Sequence, residues 1–416
     1  MKVGIYTLGC KVNTYESEFI ISLFKNRGYS IASFDDECDI YIINTCTVTN
    51  NSDRKDRKII NSIKNKKACK VVCGCFVESS KYYDFSGIDV VIGNYNKSNI
   101  VDLVEENLKT GKQIIAKENI MTVPFENMEI NHLEARTRAF VKIQDGCENY
   151  CSYCIIPFVR GRCRSKKKEI VIEEITNLVK NGYKEIVLTG IHTGNYGKDI
   201  NTNFSTLLEE ILQIKGLKRL RISSIEITEL DDKFLELLKN PILCNHLHIP
   251  LQSGSDRILK LMNRKYLTKE YEEIINKIRN IRPDISITTD VIVGFPLESS
   301  EDFEECLTFV KKINFAKVHV FPYSKRDGTK AARMKGHIDG NTKKERTKKL
   351  LKLSEELEKK YYESFINKEE EILIEKIENN YAYGHTTNYL YLKLKGNYKE
   401  NEIYKIVITK EMFIDI

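Results

Sequence analysis

Cys147, Cys151 and Cys154 lie in the segment Gly146-Cys147-Glu148-Asn149-Tyr150-Cys151-Ser152-Tyr153-Cys154, a Cys-x3-Cys-x2-Cys pattern. Three thiolates on one short loop can hold three corners of a [4Fe–4S] cube. Such clusters otherwise take four cysteines, so three leave one iron open. An open metal position is where chemistry happens, as on catalytic zinc. Zinc is the competing occupant, but no fourth Cys or His stands nearby at finger spacing. The remaining cysteines are at positions 10, 38, 46, 69, 73, 75, 163, 244 and 306. In a reducing cytosol these twelve thiols are poorly explained as disulfides.

The elements around that loop come in three blocks. Residues 1–115 alternate strand and helix: strands at Lys2–Tyr6, Asp39–Ile43, Lys70–Val72 and Asp89–Ile92, helices at Tyr15–Arg27 and about Ser52–Lys64. That order predicts a doubly wound parallel sheet. Cys10, Cys46 and Cys75 each fall just past a strand, at the sheet edge where ligands bind in such folds. The three thiols could therefore meet at one point, or their placement could be coincidence. Residues 116–135 are polar and irregular and read as a linker.

Residues 136–361 carry six candidate strands, beginning with Ala139–Ile143, separated by helices and followed by a charged connector helix over 341–361. About six β/α units predict a partial or complete β/α barrel, with catalytic groups in the loops after the strands. The Cys-x3-Cys-x2-Cys loop follows the first of them. Residues 362–416 alternate apolar and polar positions over Glu370–Ile377, Tyr381–Lys395 and Glu402–Thr409, predicting a small antiparallel β-barrel.

The chain has 416 residues, 41% of them hydrophobic, enough for several cores. No apolar run approaches the ~20 residues that cross a bilayer. The N-terminus reads as a strand and not as a signal peptide, so the expectation is a cytoplasmic protein with no membrane partner. Net charge is +7, with two concentrated basic runs. Residues 51–70 hold eight Lys and Arg against two Asp, and residues 160–168 hold six without an acid. Each run is either solvated surface or a phosphate-binding face.

The cysteine loop resembles the radical S-adenosylmethionine (SAM) signature, in which the open iron chelates SAM. The resemblance extends across essentially the whole chain to the methylthiotransferases, a radical SAM family with an N-terminal cluster domain, a β/α barrel and a C-terminal TRAM domain. It is carried by Leu8-Gly9-Cys10-Lys11-Val12-Asn13, Asn44-Thr45-Cys46-Thr47-Val48-Thr49-Asn50, Gly74-Cys75, Thr189-Gly190-Ile191-His192, His248-Ile249-Pro250-Leu251-Gln252-Ser253-Gly254 and Asp290-Val291-Ile292-Val293-Gly294-Phe295-Pro296. It implies a radical SAM [4Fe–4S] cluster on Cys147, Cys151 and Cys154, and an auxiliary [4Fe–4S] cluster on Cys10, Cys46 and Cys75. One SAM is then the radical source and a second the methyl donor. Tyr153 would lie near the adenine of SAM, or serve as a packing aromatic. Cys73, two residues before the expected ligand Cys75, is read as its buried neighbour. Gly190, Gly194, Gly197, Gln252, Ser253, Gly254 and Asp290 fit the cofactor side, although turn and capping roles serve them as well. His192 and His248 read more naturally as structural histidines.

Lys11-Val12 after the first cysteine resembles the bacterial branch acting on N6-threonylcarbamoyladenosine at tRNA position 37. The isopentenyladenosine branch more often has Gln-Met there, and the ribosomal-protein branch Pro-Lys. The implied partners are the tRNA anticodon loop and an electron donor such as a flavodoxin or ferredoxin. The alternatives are methylthiolation of isopentenyladenosine, or a non-catalytic iron–sulfur or zinc protein that binds RNA. The tail 362–416, with seven Lys against ten Asp and Glu, is a poor RNA grip by charge alone.

Overall fold

The computed structural model describes residues 1–65, 67–80, 84–130 and 137–414. Its N-terminal sheet is six-stranded and wholly parallel. The strands Ile40–Thr45 and Cys69–Gly74 lie at its centre. Every residue of Ile40–Thr45 is buried, as a parallel strand covered on both faces requires. Helices Lys11–Asn26, Asn50–Ser62 and Ile100–Thr110 supply the cover. The sheet has two strands that the sequence reading missed, Ser30–Ala32 and Ile114–Ala116. Both are three-residue edge strands, too short to show a period.

The central region contains two three-stranded parallel sheets, one of Arg138–Lys142, Glu185–Thr189 and Arg219–Ile222, the other of His246–His248, Ser286–Val293 and Lys317–Pro322. A parallel bridge between Leu220 and Leu243 links them. These six strands are the six expected, in sequence order. Their inner faces and the surrounding helices form one large apolar core, which also takes in Met128 and Ile130 from the segment read as a linker. Residues 131–135 of that segment lie outside the described residues.

Helix Gly340–Glu363, N-capped by the Asp339 carboxylate, leads to a four-stranded antiparallel sheet. The alternating stretch Tyr381–Lys395 forms two strands, Tyr381–Thr386, which includes Gly384, and Tyr391–Lys395. The turn between them carries Tyr389 in a left-handed conformation, φ 69°.

Candidate active site

The three loops that follow the central N-terminal strands are brought together by close backbone approach. Gly9 has φ +107°, and a Cβ there would meet Cys46 Cβ at 2.9 Å and Asn13 Nδ2 at 3.0 Å. Only glycine accepts both the conformation and the contact. Asn13 ties the first two loops, donating from Nδ2 to the carbonyls of Leu8 and Thr45 at 2.8 Å each. Cys75 opens the short helix Cys75–Ser79 after the third loop and packs with Ile155 and Val159 of the other cysteine segment. Cys73, two residues earlier, is fully buried in the apolar core with Val71, Val90 and Ile92.

Arg160 joins the two cysteine sets. Its guanidinium is fully buried and donates from Nε to Cys75 Sγ at 3.3 Å, and through its terminal nitrogens to Asn13 Oδ1 at 2.7 Å and Glu16 Oε1 at 2.7 Å. It also pairs with Asp145 at 3.2 Å, two residues before Cys147. Lys142 pairs with both carboxylates, and Lys97 with Glu16. Burial alone would raise the Glu16 carboxyl, but Arg160, Lys142 and Lys97 override it and hold it well below the usual range.

This corrects the reading of residues 160–168 as one basic face. Arg160, Arg164 and Lys166 are buried, Lys166 on Glu174 at 2.6 Å, while Arg162 and Lys167 face solvent. The other run keeps its character: Arg54, Lys55, Arg57, Lys58, Lys64 and Lys67 are exposed.

The 147–154 loop is held at several points. Ser152 N donates to Met262 O at 2.9 Å, Ser152 Oγ to Leu261 O at 2.8 Å, and Asn263 Nδ2 to Tyr150 O at 3.0 Å. Tyr150 sits at φ 46°, so the loop depends on these outside contacts. Arg264 donates to Cys151 Sγ at 3.5 Å and is paired with Glu226. His192 reaches Cys147 Sγ at 3.7 Å and is paired with Glu229, so it belongs to the surroundings of the cysteine loop and not to a remote packing site. Tyr153 packs beside Ile258, Met262 and Phe295.

These residues fit iron–sulfur clusters. All-thiolate donor sets are soft, and the thiols must ionise to ligate. Burial pushes Cys46 up to about 12 and raises Cys151 and Cys154 as well. Each set has a guanidinium against one sulfur, Arg160 on Cys75 and Arg264 on Cys151, where it would offset thiolate charge. Among the described residues no three His, Cys, Asp or Glu side chains converge as the ligands of a single ion do. A cluster spreads its ligands over several metal atoms.

A cavity of about 740 Å³ opens beside Cys10. Gly9, Lys11 and Val12 line one side of it, with Gly190, His248, Asp290 and His319 from the central strands and His385, Tyr389 and Tyr391 from the C-terminal sheet. His248 pairs with Asp290 at 3.3 Å. The C-terminal sheet is fastened here by Arg219 and Arg221, which donate to the carbonyls of Glu371, His385, Thr386 and Thr387 at 2.8–3.2 Å. Gly194 abuts Glu229 and Gly197 abuts Thr202, close backbone approaches away from the cavity. A larger groove, about 980 Å³, lies elsewhere, walled by Glu301, Asp302, Glu304 and Glu305, and contains no thiol.

Residues 141–310 match the family model described as the Radical SAM superfamily, and residues 2–93 the one described as Uncharacterized protein family UPF0004. The threonylcarbamoyladenosine tRNA methylthiotransferase MtaB of Bacillus subtilis is 43% identical, over 98% of this chain and 93% of that protein. The chain belongs to the radical SAM methylthiotransferase family. The Aquifex aeolicus MtaB is 38% identical, over 98% of this chain and 100% of that protein. A tRNA-2-methylthio-N(6)-dimethylallyladenosine synthase of Natranaerobius thermophilus is 36% identical, over 90% of this chain and 86% of that protein. Methylthiotransferases of this family use SAM and [4Fe–4S] clusters, as the cysteine motif implied. Among solved structures, the radical SAM methyltransferase TsrM from Kitasatospora setae shares the fold, with a TM-score of 0.57 at 13% identity over 77% of this chain and 72% of that chain. The methylthiotransferase is thus a radical SAM α/β fold with parallel sheets and a C-terminal antiparallel sheet. No helix among its described residues is long and apolar enough to cross a membrane.

Proposed function

We propose that this methylthiotransferase acts on tRNA, at C2 of N6-threonylcarbamoyladenosine at position 37, giving the 2-methylthio derivative. The observation that carries the substrate is the 43% identity, over 98% of the chain, to a relative whose name states it. Cys147, Cys151 and Cys154 hold the radical SAM cluster, and Cys10, Cys46 and Cys75 the auxiliary cluster. Bound there, the clusters and SAM supply activation of an inert C–H bond, the sulfur and the methyl group.

The chain's own part is to position and to seal. Arg160 holds the two cysteine-bearing loops against each other through Cys75, Asn13 and Asp145. Arg264 and His192 fix the outer loop at Cys151 and Cys147. The target base enters the cavity beside Cys10, unstacked from its loop as chemistry on a base requires. The aromatic side chains of Tyr389 and Tyr391 close the C-terminal side of that cavity.

The domain division follows: an auxiliary-cluster domain to residue 115, a linker to 135, a partial β/α barrel with its connector helix to 361, and a TRAM-like barrel beyond. Exposed Arg54, Lys55, Arg57 and Lys58 meet the phosphates of the tRNA. A flavodoxin or ferredoxin supplies the electrons, and the enzyme works in the cytoplasm.

Expression in a bacterium lacking both tRNA methylthiotransferases, with mass spectrometry of its tRNA nucleosides, tests this reading. Appearance of 2-methylthio-N6-threonylcarbamoyladenosine is the expected result. Methylthiolated dimethylallyladenosine would keep the chemistry and change the substrate.

A further inference from the structure

Among the described residues, charged side chains at and behind the wall of the cavity beside Cys10 form ion pairs. Lys317 is bound to Glu358 at 2.7 Å, His248 to Asp290 at 3.3 Å, Arg221 to Glu185 at 2.7 Å and Arg138 to Glu375 at 3.2 Å. Lys11 lines the same cavity without an ion pair among the described residues, and the first group to offset its charge is the Tyr389 phenol across the cavity.

Its placement is unfavourable for an empty site. Lys11 is the first residue of helix Lys11–Asn26, at the positive end of the helix dipole, and no acidic residue stands in the first turn. Arg221 and Arg138 act on it electrostatically against Tyr389 and Glu185, and Glu185 is already engaged by Arg221. A cation beside two guanidiniums, offset by a phenol and a carboxylate that is already engaged, is stabilised when an anion enters. His246 faces the same cavity, and its buried Nδ1 has no hydrogen-bond partner.

We propose that Lys11 is the specificity residue of the cavity and receives the free carboxylate of the substrate's threonylcarbamoyl side chain. This rests on the substrate reading above. The chemistry of the nucleoside matches the chain order. In adenine, C2 and C6 both adjoin N1, so the side chain on N6 and the carbon to be modified lie on the same side of the ring. Cys10, a proposed ligand of the sulfur-bearing cluster, and Lys11 are likewise consecutive. A dimethylallyl side chain has no charge and leaves the ammonium desolvated and unpaired, which selects against it.

The test uses the anaerobically reconstituted enzyme and anticodon stem-loop RNAs carrying N6-threonylcarbamoyladenosine, its carboxyl methyl ester or dimethylallyladenosine. Binding is read by fluorescence anisotropy without reductant, and kcat/KM from the methylthiolated product. The wild-type enzyme is expected to favour the acid over the ester by roughly 10- to 150-fold, the range for a charge-assisted hydrogen bond. Lys11→Gln should collapse that ratio toward one, and Lys11→Arg should retain most of it. Equal handling of acid and ester by the wild type overturns the proposal while the substrate reading stands. So does an unchanged ratio in Lys11→Gln. Preference for a dimethylallyladenosine stem-loop over the acid overturns both. If Lys11→Gln fails to load iron, the wild-type comparison of acid and ester decides alone.

Discussion

The two cysteine sets reach similar surroundings by opposite routes. One is local: Cys147, Cys151 and Cys154 share a single loop that side chains from neighbouring segments hold in place. The other is assembled from the ends of three strands, and Cys10, Cys46 and Cys75 converge only because the sheet is parallel and Gly9 admits a close approach. Each set has one arginine against a sulfur, Arg160 buried and Arg264 half-buried. Arg264 answers mainly to Glu226, whereas Arg160 spans both sets through Glu16 and Asp145. A loop motif can be moved as a unit, but a topological site depends on the whole sheet and on what crosses between the two.

The largest expected effects separate the sets outright. Cys147→Ala should reduce 5′-deoxyadenosine formation from SAM to background. Cys10→Ala should leave that cleavage in place, abolish methylthiolated product and halve the iron from about eight to about four atoms per chain. Fully active Cys10→Ala enzyme would end the two-cluster reading.

Next comes the joint between them. Arg160→Leu leaves Glu16 and Asp145 buried with less compensation, and denaturant unfolding should show a loss of about 3–5 kcal/mol at neutral pH. Arg264→Leu should cost less, about 1–3 kcal/mol, because it removes a partner from a single carboxylate. The pH dependence follows from Glu16. Its carboxyl is depressed in the fold, so the stabilisation is complete above its unfolded value of about 4.3 and is lost as pH falls through the lower folded value. The gap between wild type and Arg160→Leu should therefore be full above about pH 5 and narrow below about pH 4. A constant gap across that range would remove Glu16 from the account.

Cys73 and Cys75 sharpen the contrast within one strand end. Cys73→Ala should keep the full iron content and cost about 1 kcal/mol of stability, as a small core truncation does. Cys75→Ala should lose the auxiliary iron. The smallest effect is expected at Tyr153, whose ring packs beside Ile258 and Met262. Tyr153→Phe keeps that ring and should change SAM cleavage by less than about threefold, corresponding to about 0.65 kcal/mol.

Legibility followed sequence distance. The strand runs of the central region are continuous apolar segments between turn signals, and all six lie where their pattern put them. The two short edge strands of the first sheet carry no pattern of their own and escaped. The basic run at 160–168 was misjudged because charge along a chain does not reveal which face is buried. Arg160 finds its carboxylate on Glu16, 144 residues away, and Lys166 is buried with Tyr15 and Glu174. Arg264 and Glu226 gave no local signal at all. Nor did tail composition indicate that His385, Tyr389 and Tyr391 would wall the cavity.

The sequence by itself determined the donor atoms, the alternation of strands and helices and the placement of the cysteines after strands, because these depend on residue type and short-range spacing. Only the tertiary structure decided which charges are buried and what they pair with, how Arg160 couples the two cysteine sets, and that Lys11 stands across a cavity from Tyr389 beside Cys10 without an ion pair among the described residues. Those facts depend on burial and on partners distant in the chain, and the energy of a charge is set by its surroundings in space.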